Sequence, residues 1–498
     1  MRKITCFLVF IFTTISFSQN KTNLKITESK AFTDKVMSQR VVSIHSTPNG
    51  LTGVIRISKK GLLFDVFDAS LERIKNGLIR IETKEKYHAN LSFGNSMKIF
   101  TIFSPSRKER VVYCHEFNLV NKTYKKTKLF KADVEKRQSI FSGSNKRETG
   151  FAISPNGDYF VVSTDDIKKH SNSYTVRVYN SKTLELIYKK KFQENTEKYY
   201  SANDLSIDDN ATVYALGKLF LEGRYQKKDG KANYDFIFNK ISNSEIQTKK
   251  VSFDKERHIS SLIISNINNK IQLIGFYSDK KAGRIKGTLM YDVDTLSMDI
   301  KALSSYKLPE MVYKDLYSTE TAKSKKDKGA ELSSYYVDYV ITDSKENIYL
   351  LAEEFFITQV YVSNGMNGGY TQTTYHYNNI LVIKLNKEGE LEWGRSIFKR
   401  ANSPSYNAFV KDDELHVILN SGKNLTDKGD GRVKVSKGWF ESTSLFDIVF
   451  NEKGKVQYNK IQDNKGKTFY KPYYGVYDGE RFITISRSSG KKQFLILE

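Results

Sequence analysis

The chain has 498 residues and a formal net charge of +24, with 31 Tyr and 31 Phe but only 6 Pro and 2 Cys. So few cysteines, with no CxxC pair, exclude both a disulfide framework and a thiolate metal site. The charge argues for acidic partners such as anionic glycans or membrane surfaces, and scarce proline leaves no stretch that reads as an interdomain linker.

The chain opens as an export signal. Arg2 and Lys3 precede the apolar run Ile4–Phe12, and Ser16-Phe17-Ser18 places small residues one and three positions before a cut ahead of Gln19. That is the three-part pattern of a secretory signal peptide over residues 1–18. The run is too short to span a bilayer, and Gln19 stands where a lipoprotein would carry Cys. No later stretch is long and apolar enough for a transmembrane segment. The mature part, 19–498, is expected as a single unit, secreted or periplasmic, with Cys114 as a small buried hydrophobe. Nucleic acid is not an expected partner in that compartment, and a monomer is expected.

From residue 40 onward short apolar runs rich in Val, Ile, Tyr and Phe alternate with tight polar turns. The turns fall into two families. One includes Ser154–Asp158 (SPNGD), Asp208-Asp209-Asn210, Asn266–Lys270, Asp343–Asn347 and Lys411–Glu414; the other includes Asn180–Thr183, Asn386–Gly389 and Asn451–Gly454. Asn, Asp and Gly suit such turns because they tolerate positive φ or cap their own backbone. The runs are strand-like and group in fours, with the first of each four starting near Val41, Ala89, Gly150, Asp204, Ser260, Tyr336, Tyr406 and Tyr473. A period of this size marks a repeat architecture. Glu85–Phe93 (EKYHANLSF) and Glu197–Ile207 (EKYYSANDLSI) show the duplication letter by letter. The expected fold is all-β, a β-propeller of eight four-stranded blades, with seven as the rival count. The last group holds three strands, and a strand near 23–27 supplies the fourth, closing the ring through the two chain ends. Helical periodicity is nearly absent.

Labelling strands A to D from the channel outward, the A–B and C–D turns are short, whereas the long segments are B–C or D–A connections and fall on one face. Long loops cost ordering entropy and seldom persist without use. This long-loop face is therefore the expected binding surface. It carries Tyr361, Tyr370, Tyr375, His376 and Tyr377 in blade six, Arg224 and Tyr225 in blade four, and Arg432 and Trp439 in blade seven. The D–A corners add Tyr87, His88, Tyr200, Tyr336, Tyr406 and Tyr474, which either ring the channel mouth or wedge between blades. Tyrosine and tryptophan offer a rigid plate with a polar tip, suited to stacking on sugars or gripping a peptide. The polar stretch 318–329 (STETAKSKKDKG) is expected to be disordered.

Compact catalytic motifs are absent. Gly466-Lys467-Thr468 lacks the upstream glycine of a phosphate loop, and His115-Glu116 lacks the second His of a zinc-protease helix. No metal, cofactor or catalytic residue is expected. The paired acids Asp208-Asp209 and Asp412-Asp413 are explained by turn chemistry. The repeat of four strands over the whole mature length resembles the secreted, uncharacterised β-propeller proteins of Gram-negative bacteria. Leu385–Phe398 (LNKEGELEWGRSIF) resembles the turn-plus-tryptophan element of quinoprotein-type repeats, but it occurs once. The leading expectation is a binding protein for an anionic glycan or a protein. A hydrolase or lyase at the channel mouth and an envelope scaffold are the alternatives.

Overall fold

The computed structural model describes residues 20–33, 38–106, 108–134, 149–165, 173–193, 198–223, 225, 227–229, 231–253, 257–267, 269–280, 283–363, 369–436, 443–464, 469–486 and 491–498. The expected signal segment lies outside them. Among the described residues no helix is long and apolar enough to cross a membrane.

Eight four-stranded antiparallel units follow one another around a ring. Blade three shows how local chemistry sets the pattern. Thr149–Ile153 leads into a turn where Gly157 takes φ +76° and the Asn156 side chain accepts the Asp158 N–H at 2.9 Å. Tyr159–Asp165 and Ser173–Asn180 then run almost wholly buried, and Leu186–Gln193 forms the exposed, lysine-bearing outer strand. Strands B and C are covered on both faces because large side chains fill the gaps between blades. Phe100 packs on Phe160 across the gap from blade two to three (4.7 Å), and Tyr174 stacks on Tyr200 from blade three to four (5.7 Å). Gly217 makes room for Tyr200, since a Cβ there would lie 2.0 Å from its hydroxyl.

The acid-bearing A–B turns have a second use, as hooks between blades. The Asn156 N–H donates to Asp209 (2.9 Å), the Asp209 N–H donates to Asn269 (3.1 Å), and the Ser344 hydroxyl donates to Asp413 (2.7 Å).

Ring closure comes from the two chain ends, as expected, with a small shift in position. Ile26–Glu28 is the outermost strand of blade eight and pairs antiparallel with Phe494–Leu497. On either side of it, Asn20–Lys21 runs parallel to the outer strand of blade seven and Phe32–Thr33 pairs with Lys491–Lys492. Phe32 is held by cations: Arg73 lies 4.4 Å and the fully buried Arg56 5.4 Å from its ring centre, and Arg56 donates to Asp65 at 2.7 Å.

Three expectations need correction. The stretch 318–329 is not disordered: it carries helix α2, Thr319–Asp327, docked on helix α1, Glu310–Leu316. Its composition offers no apolar stripe. It is held by Ala322, which is fully buried, by Lys326 paired with Glu310, and by the Tyr313 hydroxyl donating to the Ala330 carbonyl at 2.8 Å. The segment Tyr473–Tyr477 is not one strand. Pro472–Tyr474 forms a 3-10 turn, favoured by Pro472 at its first position, and only Val476–Tyr477 pairs. The long B–C segments of blades six and seven are not plain loops. In blade six they form a tall β-hairpin, Ile348–Ser363 with Gly369–Leu385, and in blade seven Val433–Val435 crosses to pair with Phe398-Lys399 on the outer strand of blade six.

Candidate functional site

The innermost strands of blades two, four, five and six each carry one extra residue against their B strand: His88, Asn203, Ser260 and Asp338. A bulge of this kind re-aims a side chain. Asn203 donates to the Leu262 carbonyl at 2.6 Å and Ser260 to the Arg284 carbonyl, so two of the four tie to blade five's backbone. His88 packs edge-on against Phe151 of the next blade at 6.0 Å. Asp338 differs. It is exposed toward the channel yet has dense protein around it, and Tyr406 of blade seven donates to its carboxylate at 2.7 Å.

Asp338 is the front of a deeper polar cluster. Behind it Glu353, at the bulge where strand B runs on into the hairpin, is buried and ion-paired at 2.5 Å with Lys399, itself buried at the end of strand D. The Lys399 ammonium also donates to the Tyr377 carbonyl at 2.9 Å. Loss of hydration pushes the Asp338 carboxyl up to about 6, against the opposing pull of the Tyr406 hydroxyl and the Lys399 charge. Burial likewise pushes Glu353 up to about 7, opposed by Lys399 and reinforced by the charge on Asp338. Burial pulls Lys399 below the ordinary lysine range, opposed by Glu353.

Tyrosines from several blades face this cluster. Tyr339 and Tyr406 meet edge to face at 5.3 Å, and Tyr473 sits beside Tyr474 at 5.4 Å. Tyr473, Tyr339 and Tyr377 all feel the charges of Asp338 and Glu353. On the far side Arg40 of blade one, exposed, lies 5.7 Å from the ring centre of Tyr87 and 6.0 Å from that of Tyr473, joining blades two and eight. Burial raises the Tyr87 phenol to about 12, and it donates to Asn90 at 2.6 Å. The result is an aromatic mouth with one cation on the rim and two carboxyls held close to neutrality beneath it.

The residues singled out from sequence divide accordingly. Tyr87, Tyr377 and Tyr474, with the adjacent Tyr473, gather at the mouth, whereas Tyr406 is buried between blades six and seven and reaches Asp338 with its hydroxyl. Tyr336 is 41% exposed and lies edge-on to Phe355 at 6.2 Å, at the foot of the blade-six hairpin. Tyr361 and Tyr370 pair into the upper hairpin, Tyr375 is exposed, and His376 stacks on Phe356 at 4.5 Å. Tyr200 is a wedge between blades and does not reach the mouth. Tyr225 stands in water, 77% exposed, and Arg432 is tied to Asp430 at 2.7 Å. Arg224 and Trp439 lie outside the described residues. Sequence reading missed Arg40, Asp338, Glu353 and Lys399. The one local signal was an acid inside the strand-like run Tyr335–Tyr339 (YYVDY).

A hollow of about 950 Å³ opens on the opposite, short-turn face, lined by Asp68, Asp343, Asp412, Asp413, Glu480 and Arg481. Several of its carboxylates are already engaged: Asp68 accepts the N–H groups of Ser70 and Glu72, and Asp343 those of Lys345 and Asn347. Among the described residues no group of three or more His, Cys, Asp or Glu is arranged to hold a metal. Cys114 is fully buried, and burial pushes its thiol up to about 12, far from a reactive thiolate.

No family model and no curated protein matches the chain. Among solved structures it is similar to the WD40 domain of SCAP from fission yeast, at 8% identity over 96% of each chain with a TM-score of 0.43. The β-propeller domain of the Trilobed protease from Pyrococcus furiosus gives 9% identity over 86% of this chain and 100% of that one, TM-score 0.37. An oligogalacturonate lyase from Vibrio parahaemolyticus gives 7% identity over 88% and 100%, TM-score 0.39. At these scores the likenesses carry nothing about what the chain binds or does.

Proposed function

We propose that the protein is an exported binding protein that takes an anionic glycan at the aromatic channel mouth of its long-loop face. The observation that carries this reading is Arg40, an exposed guanidinium flanked by Tyr87 and Tyr473 from the two neighbouring blades. A cation between two aromatic plates offers an anion-binding point beside surfaces on which sugar rings stack. Export is supported by the charged start, apolar run and small-residue cut site of residues 1–18. The basic charge of the whole chain supports an acidic partner.

The test is an array of neutral and uronate-containing oligosaccharides on the mature protein, followed by calorimetry on Arg40→Ala. Selective binding of the anionic set, weakened about tenfold or more by Arg40→Ala, is expected. Binding of neither set, or an affinity untouched by Arg40→Ala, removes the mouth as the site.

A second reading, turnover of the bound glycan, is favoured by one observation: Asp338 and Glu353 both titrate near neutrality where a proton can be given or taken. New reducing ends released by wild type, and none by Asp338→Asn, would select it over binding alone.

A further inference from the structure

Among the buried lysines, Lys98, Lys384 and Lys399 each find oxygen. Lys98 donates to the carbonyls of Ser181 and Lys182, Lys384 pairs with Glu392, and Lys399 pairs with Glu353. Lys218 is the exception. It lies on strand B of blade four, Val213–Phe220, near the end that meets the long-loop face. Directly across the ladder stands Phe236, and two residues along the same face stands Tyr234. The ammonium sits 4.3 Å from the centre of the Tyr234 ring and 5.2 Å from that of Phe236. The Tyr234 hydroxyl donates to the Ile259 carbonyl of blade five at 3.0 Å, which fixes the ring. Among the described residues no carboxylate pairs with Lys218.

A half-buried ammonium set against two aromatic faces loses most of its hydration and recovers part of it from the rings. The neutral amine is thereby favoured, and burial alone pulls Lys218 down to about 8. Desolvation without a counter-charge is one of the ways in which a lysine becomes a nucleophile near neutral pH. Lys218 is not fully sealed: the residue keeps partial solvent exposure.

We propose that Lys218 is a nucleophilic amine that captures a small aldehyde as a Schiff base against the faces of Tyr234 and Phe236. The nitrogen lone pair attacks the carbonyl carbon to give a carbinolamine. The carbonyl oxygen then leaves as water with the two protons that the amine nitrogen carried, and a C=N bond remains. No oxidant or reductant is needed. This site is in blade four and is separate from the mouth between blades six, eight and one.

The test is competitive labelling of the intact folded protein at pH 7.5 with limiting glycolaldehyde and sodium cyanoborohydride, which reduces the imine to a stable secondary amine, followed by peptide mapping. Lys125 and Lys189, exposed on outer strands, serve as internal references. Lys218 is expected to carry at least about ten times the label of either reference, because far more of it is neutral at that pH. The excess should shrink as pH rises to 10, where the references also lose their protons. Equal or lower labelling of Lys218 at pH 7.5 overturns the proposal. The readout is on the unaltered chain, so it does not depend on a variant folding, and it is independent of any glycan affinity at the mouth.

Discussion

The Tyr406 hydroxyl of blade seven donates to the Asp338 carboxylate of blade six at 2.7 Å, a bond across a blade seam made by a bulge residue. The bond stabilises the ionised acid in a place where lost hydration disfavours it. Tyr406→Phe should therefore raise the Asp338 midpoint above about 6, by about half a unit to one unit. Carboxyl-carbon NMR titration of wild type and variant measures this, and an unmoved midpoint would show that the contact does not set the acid's charge.

Asp338 and Glu353 also give stability a slope with pH. Their folded values, about 6 and about 7, lie above the ordinary 3.8 and 4.5. Between the two sets the folded chain holds protons that the unfolded chain has released, so stability falls as pH climbs from about 4 to about 7. Asp338→Asn removes its share. Discounted for exposure on the channel side, the variant should gain about 1 kcal/mol over wild type at pH 8 relative to pH 4.5. Urea denaturation at the two pH values checks it.

The Glu353–Lys399 pair should behave as a buried ion pair. Lys399→Met leaves Glu353 uncompensated and should cost about 3–5 kcal/mol, whereas Glu353→Leu with Lys399→Met should recover most of the loss. A double-mutant cycle by chemical denaturation separates the pair's coupling from the cost of each truncation.

Closure of the ring should fail first at Phe32. Phe32→Ala removes a ring packed on Phe494 at 5.3 Å and on Arg56 and Arg73, costing about 3 kcal/mol. Hydrogen exchange should rise in Ile26–Glu28 and Phe494–Leu497 before it rises in blades two to five. Uniform loss of protection would mean that the latch is not a separate weak point.

The hairpin gives a fifth outcome. Tyr375→Ala with Tyr377→Ala should weaken glycan binding at the mouth, because Tyr377 lies beside Glu353 and Tyr375 is exposed on the hairpin. Unchanged affinity would confine recognition to Arg40 and the tyrosines of blades two and eight.

Much of the fold was legible because its determinants are local. Asp208 accepts the N–H groups of Asn210 and Thr212, so that turn is written in adjacent letters, and the apolar runs on either side follow from burial on both faces. Helix α2 was not legible, because Ala322 and the Lys326–Glu310 contact have meaning only once α1 is in place. The heart of the candidate site was hidden for a related reason. Asp338 becomes a channel acid through a bulge that depends on its register with Leu351 and Ala352, and Glu353 meets Lys399 only after two more strands have paired. The tyrosines could be named in advance, but the charges they surround could not. Tyr200 carries the same letter as Tyr87's corner and ends in a different place, between blades.

The outermost strand of blade eight comes from the beginning of the chain and its inner three from the end. Lys25 reaches Glu498 across 473 residues of sequence, and the Tyr470 hydroxyl reaches Glu28 across 442. A chain made from its N-terminus must leave Ile26–Glu28 without its partner strand until Phe494–Leu497 has been made. Contacts this distant are slow to form, and an unsatisfied strand invites pairing with other molecules meanwhile. The wheel thus has a built-in waiting period, and the charged residues beside that first strand (Lys25, Glu28 and Lys30) are placed where they can discourage premature company.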